Sequence, residues 1–296
     1  MNPALDNAVY LNGEFMPLID ARIPVLDRGF IFGDGVYEVV PVYSRQPFRL
    51  DEHLRRLDNS LAAIRLQNPH SHAEWRALLE QLIARQDCED QYIYLHITRG
   101  AAKRDHAFPI GVAPTIFMMS SPLITPPQSL LESGIAAITA EDNRWLRCDI
   151  KATSLLSNVL LRQLAIDAGA SETILLRDGN MIEGSASSVF VVHRDTVLAP
   201  PKNHLMLPGI TYDVVLELAA RNGIRHEIRE IPEHEMRSAQ ELWLLSSTRE
   251  VLAITTLDGK PVGNGKPGAL FKRMYGLYQD YKKTVMRRPH AEAAAS

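Results

Sequence analysis

Lys151 closes the strand-like run Trp145-Leu146-Arg147-Cys148-Asp149-Ile150-Lys151 and precedes Ala152-Thr153-Ser154, where the pattern predicts a helix start. A helix N-terminus carries partial positive charge, which disfavours a nearby ammonium and lowers its pKa. The neutral amine attacks aldehydes to form a Schiff base. A solvated lysine beside a helix cap would carry the same local sequence, so partners elsewhere must decide between the two. Glu183, in Met181-Ile182-Glu183-Gly184-Ser185, falls between two expected strands among small residues. A carboxylate there can hold a protonated ring nitrogen, or it can be an ordinary turn glutamate. Leu207-Pro208-Gly209-Ile210-Thr211 opens a helix ending at Asn222-Gly223. Backbone amides and a hydroxyl at a helix start form an anion site as readily as a plain cap.

Two further stretches have side chains suited to a pocket. Arg56 lies one residue off the apolar stripe of its helix, beside His53 and Ser60, and can reach an anion from that flank or face solvent. Tyr37 and Val39 share one face of an expected strand because side chains alternate there. They line either a pocket or ordinary core.

The elements that position these residues read as follows. Asn12-Gly13 is a turn between strands over 8–11 and 14–17, and Gly33-Asp34-Gly35 leads into a strand over 36–43. Pro41 confines that strand to an edge or an irregular position. A helix over 51–66 repeats Leu54, Leu57, Leu61 and Ile64 at helical spacing. Ser71 and Glu74 form a capping box before a helix whose apolar face is Trp75, Leu78, Leu79, Leu82 and Ile83. Strands over 92–98 and 115–119 flank a loop containing residues 101–111. Pro122, Pro126 and Pro127 mark a domain boundary. The chain divides into an N-terminal α+β domain (1–124), a C-terminal domain (125–286) that carries Lys151, Glu183 and the 207–211 stretch, and a frayed tail (287–296).

Beyond the boundary come a strand over 134–140 and a helix over 154–168 expected to bury Leu155, Leu156, Val159, Leu160 and Leu164. Strands over 173–176, 189–192 and 242–246 follow, with a last helix over 269–281. No regular βαβ rhythm emerges, so the class is α+β in two domains.

Composition narrows the function. The chain has 296 residues with a net charge of −3, which provides no electrostatic footprint for nucleic acid. Two cysteines, Cys88 and Cys148, suit neither a disulfide framework nor a zinc cluster and read as reduced thiols in a cytoplasmic protein. The start lacks the basic and apolar runs of a signal peptide, and no stretch matches a membrane span in length. Phosphate-loop, dinucleotide, serine-hydrolase and zinc-protease motifs do not occur, and no metal site is expected.

Taken together, the stretches resemble the class IV aminotransferases, the fold-type IV pyridoxal-phosphate enzymes. The likeness runs from Tyr10 to about Tyr281. It rests on Asp27-Arg28-Gly29-Phe30, Phe32-Gly33-Asp34-Gly35-Val36-Tyr37-Glu38, Trp145 to Lys151, Glu183-Gly184-Ser185 and Gly209-Ile210-Thr211, in the family's order. The resemblance implies a two-domain architecture with pyridoxal 5'-phosphate at the domain interface. Lys151 matches the lysine that bonds the cofactor and moves the substrate proton. Glu183 matches the partner of the pyridine nitrogen, and Leu207 the apolar residue packed on the ring. Arg56, Ile210 and Thr211 match phosphate holders, with Ser247 and Thr248 nearby.

Within the family, Lys103-Arg104-Asp105-His106 resembles the loop of the D-amino-acid aminotransferases. There an Arg-x-His pair binds the substrate α-carboxylate with the tyrosine matching Tyr37. The pair reaches the other subunit's site, so a homodimer is implied. The implied activity is ping-pong amino transfer between a D-amino acid such as D-alanine and 2-oxoglutarate or pyruvate. A branched-chain L-amino-acid aminotransferase, an aminodeoxychorismate lyase and a cofactor-free scaffold of the same fold are the alternatives. Ala186, Pro208, Asp105 and Arg249 depart from the family pattern and bear on specificity.

Overall fold

The computed structural model describes residues 7–287, so the expected frayed tail lies outside the described residues except at Arg287. Cα proximity divides the chain into two compact units. The first takes the chain up to Ile124, the segment Ile150–Leu155 and the stretch from Met286; the second takes Thr125–Asp149 and Leu156–Val285. A single cut at 124/125 would have assigned Lys151 to the second unit. Its segment instead belongs to the first.

The first unit contains, in order, β1 (Ala8–Leu11), β2 (Glu14–Pro17), α1 (Arg28–Phe32), β3 (Gly35–Tyr43), β4 (Gln46–Pro47), α2 (Leu50–Ala63), α3 (His72–Ala84), β5 (Gln91–Thr98) and β6 (Thr115–Pro122). The six strands pair antiparallel in the order β2-β1-β6-β5-β3-β4. Pro41 is tolerated because its carbonyl accepts from Phe48 N on the β4 side, where β4 pairs only Val42 and Tyr43. Its missing N–H therefore faces a gap in the ladder. Ser71 caps α3 with both arms of the capping box formed. Val36 and Val40 on β3, Ile93 and Leu95 on β5, Leu54, Leu57 and Leu61 on α2, and Trp75 and Leu79 on α3 share one core.

That core also anchors the inserted segment. Ile150 is buried in it, Val36 forms a bridge with Ala152, and Tyr37 N donates to the Lys151 carbonyl at 2.9 Å. The segment is thus an extra stitch along β3.

The second unit contains α4 (Gln128–Ser133), β7 (Ile135–Glu141), α5 (Leu156–Asp167), β8 (Glu172–Arg177), β9 (Asn180–Gly184), β10 (Ser188–His193), β11 (Thr196–Ala199), α6 (Ile210–Arg221), β12 (His226–Ile228), β13 (Ile231–Pro232), α7 (Glu233–Arg237), β14 (Glu241–Ser246), β15 (Glu250–Leu257), β16 (Lys260–Pro261) and α8 (Ala269–Tyr281). Its sheet runs β12-β11-β10-β14-β15-β7-β8-β9-β13, with β16 on β15. Parallel pairs (β11–β12, β15–β7 and β7–β8) are mixed with antiparallel ones, which confirms an α+β rather than a doubly wound protein. Ile135, Ile174, Val189, Leu242, Leu244 and Ile254 form its core.

Three expectations are corrected here. Helix α5 begins at Leu156, five positions after Lys151, so the lysine does not immediately precede a helix start. The 145–151 run is turn and coil, not strand. And α5 buries Leu161 and Ala165 while Leu156, Val159, Leu160 and Leu164 face outward. Its leucines occupy more than one face, so spacing alone could not say which face the sheet covers.

Candidate active site

Side chains able to do chemistry gather in each unit separately. In the first, β3 alternates from Val36 to Val40: Val36, Glu38 and Val40 face the core while Tyr37 and Val39 face the other way, half-buried. The stitched segment delivers Lys151 beside Tyr37. Its Nζ lies 4.2 Å from the centroid of the Tyr37 ring, a cation–π distance, and its backbone N donates to the buried Ser60 hydroxyl at 3.2 Å. Tyr94, opposite Val39 in the β3–β5 register, sets its ring 5.7 Å from that of Tyr37. Backbone bonds on both sides hold the lysine in place.

Glu38, on the core face, was not singled out from the sequence. Arg56 donates to it twice, Nε to Oε1 and Nη2 to Oε2, both at 2.7 Å, and His53 Nδ1 donates to Oε2 at 2.8 Å. Burial alone would raise the Glu38 pKa, but Arg56 and His53 override it and hold the carboxyl well below the usual range. Burial lowers the pKa of His53, which outweighs the pull of Glu38. The fork onto Glu38 fixes the plane of the Arg56 guanidinium. A charged residue in register with Val36 and Val40 was the sequence signal that such partners existed.

The loop after β5 exposes Arg104 and His106. Both side chains sit around Phe32 on α1: the His106 ring is 5.3 Å from it and the Arg104 guanidinium carbon 5.4 Å. Tyr37 has other neighbours, Lys151 and Tyr94. Asp105 turns its carboxylate back onto the amide of Ala107 at 3.1 Å.

In the second unit, Glu183 lies within β9 rather than between strands, and is buried. Arg144 Nη1 donates to its Oε1 at 2.7 Å, while Nε and Nη2 of the same guanidinium go to Asp142 at 2.8 and 3.0 Å. Arg177 completes the group at 3.1 Å from Asp142. The Leu207 amide donates to both Glu183 oxygens at 3.2 and 3.3 Å. Burial pushes the Glu183 carboxyl up to about 7 against the opposing pull of Arg144 and Leu207. Arg144 and Asp142 were missed because their partner is far along the chain and nothing local marks them.

Helix α6 begins with Ile210 and Thr211, both buried, after Gly209 as N-cap. No side chain among the described residues caps it. A side chain at 209 would meet Ser188 Oγ at 2.8 Å, so glycine leaves the approach to those first amides open. Ser247 and Thr248 occupy the turn joining β14 to β15. Arg249 follows them and donates to the Ser171 carbonyl at 3.2 Å.

These residues fit pyridoxal phosphate on the chemistry of the donors. A buried, under-neutralised carboxylate suits a ring N–H, uncapped helix amides suit a phosphate, and a lysine held by its backbone suits an aldehyde.

Comparison with known proteins agrees. The family model for amino-transferase class IV matches residues 35–257. The D-alanine aminotransferase of Bacillus licheniformis is 39% identical over 272 residues, covering 92% of this chain and 96% of that protein. The D-alanine aminotransferase of Staphylococcus epidermidis is 34% identical over 273 residues, covering 92% and 97%. Among solved structures, the branched-chain amino acid aminotransferase of Escherichia coli superimposes with a TM-score of 0.85 at 26% identity, covering 92% of this chain and 95% of that one. The T.th. branched-chain amino acid aminotransferase, solved with pyridoxamine 5'-phosphate, shares the fold with a TM-score of 0.88 at 24% identity, covering 98% and 97%.

Proposed function

The chain belongs to the class IV aminotransferases, and from that premise we propose that it moves amino groups between D-amino acids and 2-oxo acids in two alternating half-reactions. The observation that carries the reading is the pair Arg104 and His106, presented together around Phe32 on one exposed loop. Arginine forks onto a carboxylate with two charge-assisted hydrogen bonds, and histidine adds a donor. D-alanine aminotransferases at 39% and 34% identity support the same choice.

Pyridoxal phosphate, the family's cofactor, supplies when bound an aldehyde that condenses with amines and a protonated ring that draws electrons from the substrate α-carbon. Lys151 would bond it, and Nζ would take the α-proton and return it. Glu183 would hold the ring nitrogen's proton, supported by its raised affinity for one. Arg56, the amides of Ile210 and Thr211, and the hydroxyls of Thr211, Ser247 and Thr248 would hold the phosphate. Leu207 would pack on the ring. Tyr37 and Val39 would line the substrate side, with Arg104 and His106 on the carboxylate.

The proposal includes a homodimer in which Arg104 and His106 serve the other subunit. Exposed leucines on α5 in the second unit, and the exposed Val25, Phe30 and Ile110 in the first, support apolar surfaces that a second copy would cover. Both cysteines are free, which supports placing the enzyme in the reducing cytoplasm. Among the described residues no helix is long and apolar enough to cross a membrane.

Lys151→Ala should abolish turnover and the visible absorption of the bound cofactor; retention of both would move the anchor to another lysine. The solved structures favour one rival, a branched-chain L-amino-acid aminotransferase. Assay of D-alanine against L-leucine with 2-oxoglutarate separates the two, and L-leucine turnover without D-alanine turnover would overturn the D-specific reading. A purified protein that is colourless and takes up no added cofactor would indicate a scaffold.

A further inference from the structure

Residues 103–108 are all exposed, so packing does not hold the loop that carries Arg104 and His106. A buried side chain does. Arg28, at the first position of α1 and 4% exposed, points its guanidinium at the backbone of that loop. Nη1 donates to the carbonyl of Asp105 at 2.5 Å and to that of Ala107 at 3.3 Å, and Nη2 donates to that of His106 at 3.4 Å. Nε donates to Asp34 Oδ2 at 2.7 Å.

Asp34 fixes the direction of this fork. Arg99 donates to Asp34 through Nε (2.8 Å) and Nη2 (3.0 Å), and the Arg99 guanidinium lies 3.7 Å from the Phe108 ring centroid at the loop's far end. One carboxylate therefore orients two arginines, one gripping the middle of the loop and one its end. The Arg28 guanidinium is also 4.9 Å from the ring of Phe32, around which Arg104 and His106 gather.

We propose that Arg28, oriented by Asp34, is a positioning residue for the substrate-carboxylate clamp: it holds the loop backbone so that Arg104 and His106 present their donors together. The inference rests on the reading that this loop takes the substrate carboxylate. Lysine cannot substitute, because a single ammonium cannot reach three carbonyls and a carboxylate as a planar fork does. Loss of the grip misplaces binding groups without touching the proton-transfer amine.

The test compares Arg28→Lys, Asp34→Asn and Arg104→Ala with the wild-type holoenzyme, measuring kcat and KM for D-alanine and for 2-oxoglutarate, and cofactor content by visible absorption. Arg28→Lys and Asp34→Asn should each raise KM about tenfold, with kcat within about threefold and cofactor content unchanged. KM within about twofold of wild type in the Arg28 and Asp34 variants, with a large rise in Arg104→Ala, overturns the positioning role and leaves the loop reading standing. An unchanged KM in Arg104→Ala removes the loop reading and the inference with it. A parallel loss of kcat and cofactor in Arg28→Lys makes Arg28 merely structural and also overturns the proposal. Should Arg28→Lys fail to fold, Asp34→Asn, which keeps the arginine and removes only its orienting charge, decides on the same criteria.

Discussion

Glu38 in the first unit and Glu183 in the second are both buried, and each has an arginine at 2.7 Å, yet their proton affinities move in opposite directions. Geometry explains the split. Arg56 spends two donors on Glu38, one on each oxygen, and His53 adds a third. Arg144 spends one donor on Glu183 and divides the others with Asp142, so Oε2 has, among the described residues, only the Leu207 amide at 3.2 Å. A buried carboxylate is stable as an anion only when its lone pairs are filled. The first is a finished ion group that ties α2 to β3. The second keeps capacity for one more N–H donor, as its proposed role beside a protonated ring requires.

Mutation can break this contrast. Glu38→Ala leaves Arg56 and His53 buried without their anion and should cost about 3–5 kcal/mol in denaturant unfolding, the range for a broken buried pair. A loss as small as that of a surface substitution would mean the triad is not structural. Glu183→Gln keeps the shape, and Arg144 keeps Asp142, so the fold should survive. Activity should nevertheless fall roughly 10²-fold, the scale for losing one preorganised electrostatic partner. Equal effects of the two variants on stability and on activity would erase the distinction.

The response to pH sharpens it. Glu38 titrates below its ordinary 4.5 and His53 below its ordinary 6.5 when folded. Both therefore stabilise the first unit above those values, and the contribution is lost as the pH falls through them. Glu183 titrates near 7 rather than 4.5, so in cofactor-free protein the second unit loses stability as pH rises across that interval. Amide hydrogen exchange, corrected for intrinsic rate, should show α2 weakening on acidification while β9 strengthens. The same direction in both elements would refute the pairing argument. As the smallest effect, Arg147→Ala, which removes an exposed pair with Asp149, should leave the denaturant midpoint within error of wild type.

Much of the scaffold was legible because local rules suffice for it. Leu54, Leu57 and Leu61 repeat on one helical face and are buried, and Ser71 and Glu74 cap each other across three residues. Local rules fail where a long-range partner decides. Periodicity showed that leucines of α5 share faces, but it could not show that Leu161 and Ala165 would be the buried ones, with Thr173 of β8 donating to the Leu161 carbonyl at 2.6 Å. Lys151 looked like a residue before a helix, whereas the bridge from Val36 to Ala152 fixes it against β3. The same holds for Arg144, whose partner Glu183 follows 39 positions later. Glu38 is the opposite case: it was passed over, although its register with Val36 and Val40 was a local signal of a buried charge in need of partners.

Because Ile150–Leu155 runs beside β3 while the residues flanking it belong elsewhere, the first unit is not a contiguous stretch of polypeptide. During translation its core stays incomplete, with Val36 lacking its bridge and Ile150 absent, until Ala152 has left the ribosome. A gene fragment ending at the proline-rich linker would encode a sheet missing that last stitch, and missing Lys151, the proposed cofactor anchor, as well.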